Sequence, residues 1–324
     1  MLGSRFRELG KRFAYHTFDL ARLEHLFAQR GVGQVLSLHR VHPDPSPYWP
    51  PIHPDQLDWL ISRLKRLGTF VEIGELSSTR VHAHARIFAL TFDDGYADFV
   101  EYGLPVLASH NVPSNLNVVA ESAMTGHPIW SSRLYQALAQ VEGDPLEILE
   151  DLLPEIRAGS LSGPPDHVGF AVSNQLRLRP RNERIAVVEA LERATESDSG
   201  PLKALTVEQI QALPQSVHVG AHGGTHEPMS DVSMDEFNED FAMCRELFDT
   251  QLGLSLTTYA FPLGGYRSEQ VDFLLDEGLE QILVVDEKTT LGGTRVLPRL
   301  TVGGTLRGQF IAKSVGATGG FFSD

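Results

Sequence analysis

The sequence predicts an α/β protein whose parallel strands close into a barrel, and three observations support this prediction. Seven short apolar runs rich in β-branched and aromatic residues recur along the 324 residues. Helical patterns separate several of them, and strands that alternate with helices form βα units and a parallel sheet. The dinucleotide-binding glycine signature does not occur, so seven strands favour a closed barrel over an open nucleotide-binding sheet.

The strands are predicted where apolar runs of strand length stand between turn or helix signals. In chain order they are QVLSLHRV (34–41), RIFALTF (86–92), SNLNVVA (114–120), SVHVGA (216–221), TTYAFPL (257–263), QILVVD (281–286) and VLPRLTV (296–302). Helices are predicted at PDQLDWLISRLKRL, at VEYGLPVLASHN and around Cys244. In the last of these, Ser233 and Glu236 are spaced as a capping box, which marks the start of the helix.

One long segment interrupts this alternation. Residues 128–205 contain IWSSRLYQALAQV, DPLEILEDLLPEIRAG and NERIAVVEALERATE, which have helical patterns and no strand between them. We therefore expect an amphipathic helical segment at 1–33, a barrel at 34–310 with a helical insertion at about 128–205, and a flexible tail at 311–324. Two roles stay open for the insertion: it closes over the barrel mouth, or it mediates assembly.

The charge and composition exclude some classes of protein. Twenty-seven basic and 42 acidic residues give a net charge of −15, and nucleic-acid binding requires a basic surface, so we expect no nucleic-acid partner. The single cysteine, Cys244, permits no internal disulfide. Because we find neither an 18-residue apolar run nor the apolar centre of a secretion signal, we expect a cytoplasmic protein without a membrane-spanning helix.

The N-terminal segment differs in charge from the rest of the chain. Residues 1–31 contain six basic and three acidic side chains, and Leu2, Phe6, Leu9 and Phe13 follow helical spacing. A basic amphipathic helix suits peripheral contact with the inner face of a membrane through residues 1–20. The alternative is a plain amphipathic helix that packs on the barrel.

Three predicted strands end in residues that can carry chemistry. Asp93 and Asp94 follow RIFALTF, His222 and His226 follow SVHVGA, and a glycine turn leads to Tyr266 after TTYAFPL. In a βα barrel the carboxyl ends of the strands meet at one face, where active sites form. Two histidines and one carboxylate suit a catalytic divalent metal. The second aspartate would then take a proton from the water that the metal activates.

These motifs resemble the polysaccharide deacetylase family, the carbohydrate esterases with the NodB-homology domain (carbohydrate esterase family 4). The resemblance rests on TFDDG (91–95), HGGTH (222–226) and YAFPLGGY (259–266), and it covers about residues 34–125 and 205–305. LSLHRVHPD (36–44) is similar to the opening of members from exopolysaccharide and lipopolysaccharide gene clusters. The family implies a distorted (β/α)7 barrel and metal-dependent removal of N- or O-acetyl groups from sugars.

The resemblance also implies roles for single residues. Asp93 matches the catalytic base, and Asp94, His222 and His226 match the metal triad, which usually holds zinc. The backbone N–H of Leu263 matches the donor to the oxyanion, and Tyr266 closes the same motif as a substrate contact.

The chain departs from the family pattern in several places: besides Leu263 for the aromatic residue of the third motif and Gly223 for the hydroxyl residue of the second, an arginine and a histidine are missing. Tyr259 or Ala260 stands where an arginine often orients the base, and Arg299 in LPRLTV could replace it. The late histidine that protonates the leaving amine has no counterpart, because the last histidine is His226. His39, at the end of the first strand, is the nearest candidate for an acid or a substrate contact. Without a dedicated acid, metal-bound water or a protonated Asp93 could return the proton.

The sequence therefore predicts a metal-dependent hydrolase that removes an N-acetyl or O-acetyl group from a carbohydrate, such as a cell-surface polysaccharide or its precursor. Within the same chemistry, the alternative is a deacylase of another amide, for example a deformylase. From another class, the alternative is a sugar-binding or assembly protein that kept the barrel without turnover.

Overall fold

All seven predicted strands lie in one closed parallel barrel. A computed structural model of the chain describes residues 2–141, 149, 153, 165–195, 202–304 and 306–317. Its strands run β1 Val32–Leu38, β2 Thr69–Phe70, β3 Arg86–Phe92, β4 Ser114–Val118, β5 Val217–Ala221, β6 Thr258–Ala260, β7 Gln281–Val284 and β8 Val296–Thr301. Neighbours are hydrogen-bonded in the order β1-β8-β7-β6-β5-β4-β3, and β1 pairs with β3 to close the ring. The predicted distorted (β/α)7 barrel is confirmed.

The short strand β2 is the element that the sequence did not predict. It pairs with the first half of β3, where Phe70 lies opposite Phe88, whereas β4 pairs with the end of β3, where Leu116 lies opposite Phe92. A two-residue strand has no room for a periodic pattern, so only its pairing partner reveals it. The barrel is distorted here because β2 and β4 share one side of the same strand.

Helices surround the barrel and follow the predicted βα alternation. The described helices are α1 Leu2–Leu20, α2 Glu24–Phe27, α3 Pro54–Leu64, α4 Ile73–Ser78, α5 Leu104–Ser109, α6 Ala120–Thr125, α7 Trp130–Ala139, α8 Pro165–Arg177, α9 Arg181–Thr195, α10 Val207–Gln211, α11 Met234–Glu246, α12 Ser268–Asp276 and α13 Arg307–Ser314. π-helical turns at Phe99–Gly103 and Leu247–Leu252 adjoin α5 and α11. The predicted Ser233–Glu236 capping box begins α11.

The strand alternation separates an outer apolar layer from an inner one. In β3, Phe88, Leu90 and Phe92 point outward into the core beneath the helices, whereas Ala89 packs in a second cluster inside the barrel. Side chains of a strand alternate between two faces, so Thr91 also points inward. The interior cluster is apolar, and two residues of α4 contribute to it: Val35, Ala89, Ala260, Leu283, Leu297, Ile73 and Leu76.

The insertion contains helices with an apolar core of their own. Helices α7, α8 and α9 lie within residues 128–205, and their buried residues form a cluster apart from the barrel core, including Leu134, Leu138, Val172, Leu176, Val188 and Leu191. The helix predicted at residues 144–159 lies outside the described residues, apart from the buried Leu149 and Leu153. The division of the chain into segments stays a prediction.

The first and last described helices pack against each other. Tyr15 and Phe18 of α1 are buried, and the backbone of Tyr15 approaches Gly308 of α13 so closely that a Cβ on that glycine would lie 1.9 Å from the Tyr15 carbonyl oxygen. Helix α13 continues beyond residue 310, and residues 311, 312, 314, 315 and 317 are buried. This part of the predicted tail is therefore packed, because its apolar side faces the barrel; residues 318–324 lie outside the described residues.

We expect Gly308→Ala to destabilise the protein, because the added methyl group would meet backbone atoms of α1 that cannot move independently. The expected loss is about 1–3 kcal/mol, measured as a lower midpoint in thermal or denaturant unfolding. Gly303→Ala is the matched control, since a Cβ at that position meets nothing within 4 Å. Equal midpoints for the two variants would contradict the packing of α1 on α13.

Candidate active site

The inward face of the strands changes from apolar to polar toward the carboxyl ends. In β3 the inward series Ala89, Thr91 continues into Asp93, the first residue after the strand. The same period of two follows Val35 in β1 with Ser37 and His39, and it follows Leu297 in β8 with Arg299. The spacing of two residues therefore collects polar side chains at one mouth of the barrel.

Asp93 is held by four hydrogen bonds in a buried environment. Arg299 Nη1 lies 2.8 Å from both carboxylate oxygens, the Asn117 amide donates to Oδ1 at 2.7 Å, and the Ser37 hydroxyl donates to Oδ2 at 3.2 Å. Asp93 and Arg299 are 2% and 1% exposed. Burial raises the pKa of Asp93, but the Arg299 guanidinium, with His222 and His39, outweighs it and holds the pKa well below its usual range. Asp93 is therefore a carboxylate at neutral pH.

Asp94 points toward the histidines because the chain turns sharply after β3. Its φ is 73° and that of Gly95 is 70°, a left-handed conformation that costs energy for an aspartate. Asp94 Oδ1 lies 3.4 Å from His222 Nε2 and 3.2 Å from His226 Nε2. Burial raises the pKa of Asp94, and His226 more than reverses this effect, so the pKa lies below its usual range. The two adjacent aspartates thus face different partners.

His222 is oriented by a bond on the far side of its ring. Its Nδ1 lies 2.9 Å from the Ala260 carbonyl oxygen, so Nδ1 carries the hydrogen and Nε2 presents its lone pair to Asp94. Burial lowers the pKa of His222 to about 4, although Asp93 opposes that change. At neutral pH the imidazole is neutral, so its contact with Asp94 is not an ion pair between charged groups.

The loop from His222 to His226 is anchored to helix α11. The Asp240 carboxylate accepts hydrogen bonds from Gly224 N at 2.6 Å, Thr225 N at 2.9 Å and Thr225 Oγ1 at 2.8 Å. A Cβ at Gly224 would lie 2.6 Å from the Asp240 carbonyl oxygen, so only glycine fits this approach. His226 itself has a φ of 60°. Asp240 therefore holds the second histidine in a strained conformation.

Asp94, His222 and His226 have the donor set and geometry of a metal site. One ligand atom from each lies within 4.8 Å of the other two, and all three residues are buried. Asp94 Oδ1 and His226 Nδ1 are buried and form no hydrogen bond within the described residues. A buried carboxylate oxygen that has no hydrogen bond of its own and faces two imidazole nitrogens suits a divalent ion. These residues fit a metal, as the sequence predicted.

A cavity of about 340 Å³ opens above the Asp94–His222–His226 cluster. His39 and Leu263 line it, and the φ of Leu263 is 54°. Tyr266, predicted as a substrate contact, is not among the described residues that line this cavity; its ring stacks on Phe261 at 5.2 Å and its hydroxyl lies 3.4 Å from the Asp286 carboxylate. The structure thus brings together all the predicted site residues except Tyr266.

Sequence reasoning missed three residues that support this site. Asn117 and Ser37 bind Asp93, and Asp240 holds the histidine loop. Two signals were present in the sequence. Asn115 and Asn117 alternate within the apolar run SNLNVV, and Asp240 lies on the apolar face of α11 between Phe237 and Cys244. Polar residues on a buried strand face or helix face require partners, and here those partners belong to the site.

Comparison of the structure with solved structures finds the same fold in deacetylases. IcaB from Ammonifex degensii matches with a TM-score of 0.58 and 17% identity over 89% of this chain and 98% of its own. The Streptococcus pyogenes deacetylase PplD, in complex with acetate, matches with a TM-score of 0.55 and 14% identity over 89% and 99%. BC0361, a polysaccharide deacetylase from Bacillus cereus, matches with a TM-score of 0.51 and 12% identity over 88% and 69%.

By sequence, the chain matches no protein-family model and no curated protein. At these identities the structural matches show the fold alone. The polysaccharide-deacetylase resemblance read from the motifs is therefore confirmed at the level of the fold.

We expect the purified protein to bind about one divalent ion per chain and His226→Ala to lose it, because this substitution would remove one of the three residues that fit the ion. Metal content by mass spectrometry and the rise in unfolding temperature on adding Zn²⁺ measure this. A ligand at 100 times its Kd stabilises the folded state by about 2.7 kcal/mol. His82→Ala, at an exposed histidine, is the matched control. Unchanged metal content in His226→Ala would refute the site.

Proposed function

We propose that this chain, which has the polysaccharide-deacetylase fold, is a metal-dependent deacetylase that removes an acetyl group from an N-acetylated carbohydrate. One observation carries the proposal: a buried carboxylate, Asp93, is ion-paired and hydrogen-bonded next to a separate cluster of Asp94, His222 and His226 that fits a metal. A protein that only binds sugars has no need for a base beside its metal ligands. The acetate bound to the structural neighbour PplD is in keeping with this chemistry.

Asp94, His222 and His226 would hold the ion, and we propose zinc because two neutral imidazoles and one carboxylate are typical zinc ligands. A divalent ion at this position would polarise the acyl carbonyl and acidify a water molecule. The fixed orientation of His222, through Nδ1 and the Ala260 carbonyl, keeps a ligand lone pair directed at the cluster. The support from Asp240 does the same for the loop that carries His226.

Asp93 would act as the base. Both carboxylate oxygens accept hydrogen bonds, Oδ1 from Asn117 and Arg299 and Oδ2 from Ser37 and Arg299. Oδ2 lies 3.9 Å from His222 Nε2, so it is the oxygen that faces the cluster. We propose that Oδ2 accepts the proton that the attacking water releases. A protonated Asp93 loses most of its attraction to Arg299, so it readily passes the proton on to the departing amine. With Asp93 in this role, no late histidine is required to protonate the leaving amine.

Leu263 and His39 would contact the reacting group from two walls of the cavity. The left-handed backbone at Leu263 belongs to the turn after β6, where the N–H of this residue would donate to the developing oxyanion. His39 is half-buried and its ring packs edge-on against Trp49 at 5.8 Å, which fixes its position at the end of β1. We propose His39 as a substrate contact.

We expect Asp93→Asn to reduce deacetylation by about 10²–10⁴-fold, because an amide cannot accept the proton. Acetate release from N-acetylglucosamine oligomers and nucleotide-linked N-acetyl sugars measures the rate. Metal content should stay near that of the wild type, since Asp93 is not among the proposed ligands.

Full acetate release by Asp93→Asn would contradict the role of Asp93. A wild-type protein that binds metal and releases no acetate from any N-acetylated sugar would overturn the proposed function. Release of formate from N-formyl sugars would instead identify the deformylase.

We further propose a peripheral membrane contact through α1. The face of α1 opposite the buried Tyr15 and Phe18 exposes Leu9, Phe13 and Leu20, which are 63%, 74% and 70% exposed. Residues 1–31 carry six basic and three acidic side chains in a chain whose net charge is −15. An apolar stripe with basic neighbours suits an anionic lipid surface. Among the described helices, none combines the length and the hydropathy needed to cross a membrane.

Vesicle flotation tests this contact. We expect the full chain to bind phosphatidylglycerol vesicles more tightly than phosphatidylcholine vesicles, and Phe13→Ser with Leu20→Ser to weaken binding at least about tenfold, since each buried side chain of this size contributes about 1.5–3 kcal/mol. Leu254→Ser with Leu291→Ser, at exposed leucines elsewhere, is the matched control. Equal binding by the two double variants would refute the role of α1.

A further inference from the structure

One face of helix α8 lines the cavity of the proposed active site. Phe170, Ser173, Asn174 and Arg177 all contribute to the cavity wall, and they are spaced i, i+3, i+4 and i+7 along the helix. This spacing places four side chains on one side of a helix. We call these four residues the α8 face. None of the four residues has a part in the proposed deacetylation chemistry.

The α8 face is fixed in place by the core of the insertion. The Tyr135 hydroxyl of α7 donates to Ser173 Oγ at 2.9 Å, and Ser173 Oγ donates to the Phe170 carbonyl at 3.0 Å. Val172 and Leu176, on the opposite side of α8, are fully buried among residues of α7 and α9. The α8 face is therefore a fixed part of the cavity wall. Phe170, Asn174 and Arg177 are positioned to contact a ligand.

Three members of the α8 face present groups without partners to the cavity. Phe170 is 59% exposed, an uncommon degree for a phenylalanine on a packed helix. Within the described residues, neither the Asn174 amide nor the Arg177 guanidinium has a hydrogen bond or ion pair. Of the two arginines among the described residues that line the cavity, Arg299 is committed to Asp93. Arg177 is thus the arginine of the cavity wall that is available to a ligand.

The hydrogen-bonding chemistry of a guanidinium indicates which ligand Arg177 would bind. The chain carries a net charge of −15, so its field repels anionic ligands at long range. A neutral sugar offers a guanidinium only single hydrogen bonds to hydroxyl or acyl oxygens, whereas a phosphate or a carboxylate accepts two parallel charge-assisted hydrogen bonds. An arginine in the last turn of a helix also stabilises that helix, and this structural role does not depend on the charge of the substrate.

We propose that the substrate of this site is an N-acylated saccharide that carries a phosphate or carboxylate next to the reacting sugar, and that the α8 face binds this part. Arg177 pairs with the anionic group, Phe170 stacks on a sugar ring, and Asn174 bonds to a hydroxyl or an acyl oxygen. The proposal rests on the proposed deacetylase function and specifies its substrate class. Arg177 is accordingly a specificity-determining residue that takes no part in the chemistry at Asp93.

Kinetics of the metal-loaded full chain test the proposal with three substrates. They are a neutral N-acetylglucosamine oligomer, a nucleoside-diphosphate-linked N-acetyl sugar, and an oligosaccharide that joins an N-acetyl sugar to a uronic acid. We expect kcat/KM to be at least about tenfold higher on one anionic substrate than on the neutral one. Which of the two anionic substrates is preferred distinguishes phosphate from carboxylate.

Arg177→Gln should lower kcat/KM on the preferred anionic substrate at least about tenfold, mainly through KM, and leave the neutral substrate unchanged. Arg193→Gln, at an exposed arginine of α9 that pairs only loosely with Glu189 at 4.0 Å, is the matched control in the same insertion. Equal losses on neutral and anionic substrates, or a wild-type preference for the neutral one, would overturn the proposal.

A binding measurement separates this proposal from the proposed function. If the metal-loaded wild type turns over none of the three substrates, the deacetylase function fails, but calorimetric titration with the nucleotide-linked sugar and with the uronic-acid oligosaccharide still examines the α8 face. Weaker binding of either one by Arg177→Gln than by Arg193→Gln would support the face as an anion-binding site. Equal binding of both by the two variants would overturn it.

Discussion

Two adjacent carboxylates buried at the mouth of a barrel are the constraint on which the rest of the site depends. A buried charge without a partner costs several kcal/mol, and a pair of like charges costs more. The structure resolves this by turning Asp93 and Asp94 toward different neighbours. Asp93 meets Arg299, Asn117 and Ser37, whereas Asp94 meets two imidazoles. Because the two aspartates have different partners, Asp93 can serve as the proposed base while Asp94 serves as a proposed metal ligand.

The turns that hold these side chains are strained, and the surrounding structure keeps them so. Asp94, His226 and Leu263 are three of the six described residues other than glycine with positive φ. Each follows a barrel strand, and each belongs to the proposed site. A left-handed backbone conformation at such residues persists only where contacts with neighbouring residues hold it in place. Asp240 does this for the histidine loop by accepting hydrogen bonds from Gly224 N and Thr225 N. Strain concentrated at three strand ends agrees with a site that is organised before any ligand binds.

Chemistry and substrate choice are placed on different parts of the chain. The groups proposed for catalysis lie at the ends of barrel strands, inside a core that the strands define. Much of the cavity wall comes from α7 and α8, which have a core of their own. A helical wall can therefore vary in its side chains without disturbing Asp93 or the proposed metal ligands. This arrangement is the physical reason why fold and motif point to a reaction, whereas the substrate has to be read from the insertion.

The sequence by itself determined the seven main strands and the residues that follow them, because burial on a strand imposes a period of two and a strand end places its next residues at the barrel mouth. The tertiary structure decided which side chains meet there. Arg299, which only the family resemblance suggested as a partner of Asp93, is 206 residues from it in the chain, and Asn117 is 24 residues away; no local pattern specifies such pairs. The same holds for Gly224 and Asp240, which are 16 positions apart in the sequence. Closure of the barrel brings these positions together, so partners across the barrel are determined by topology and register.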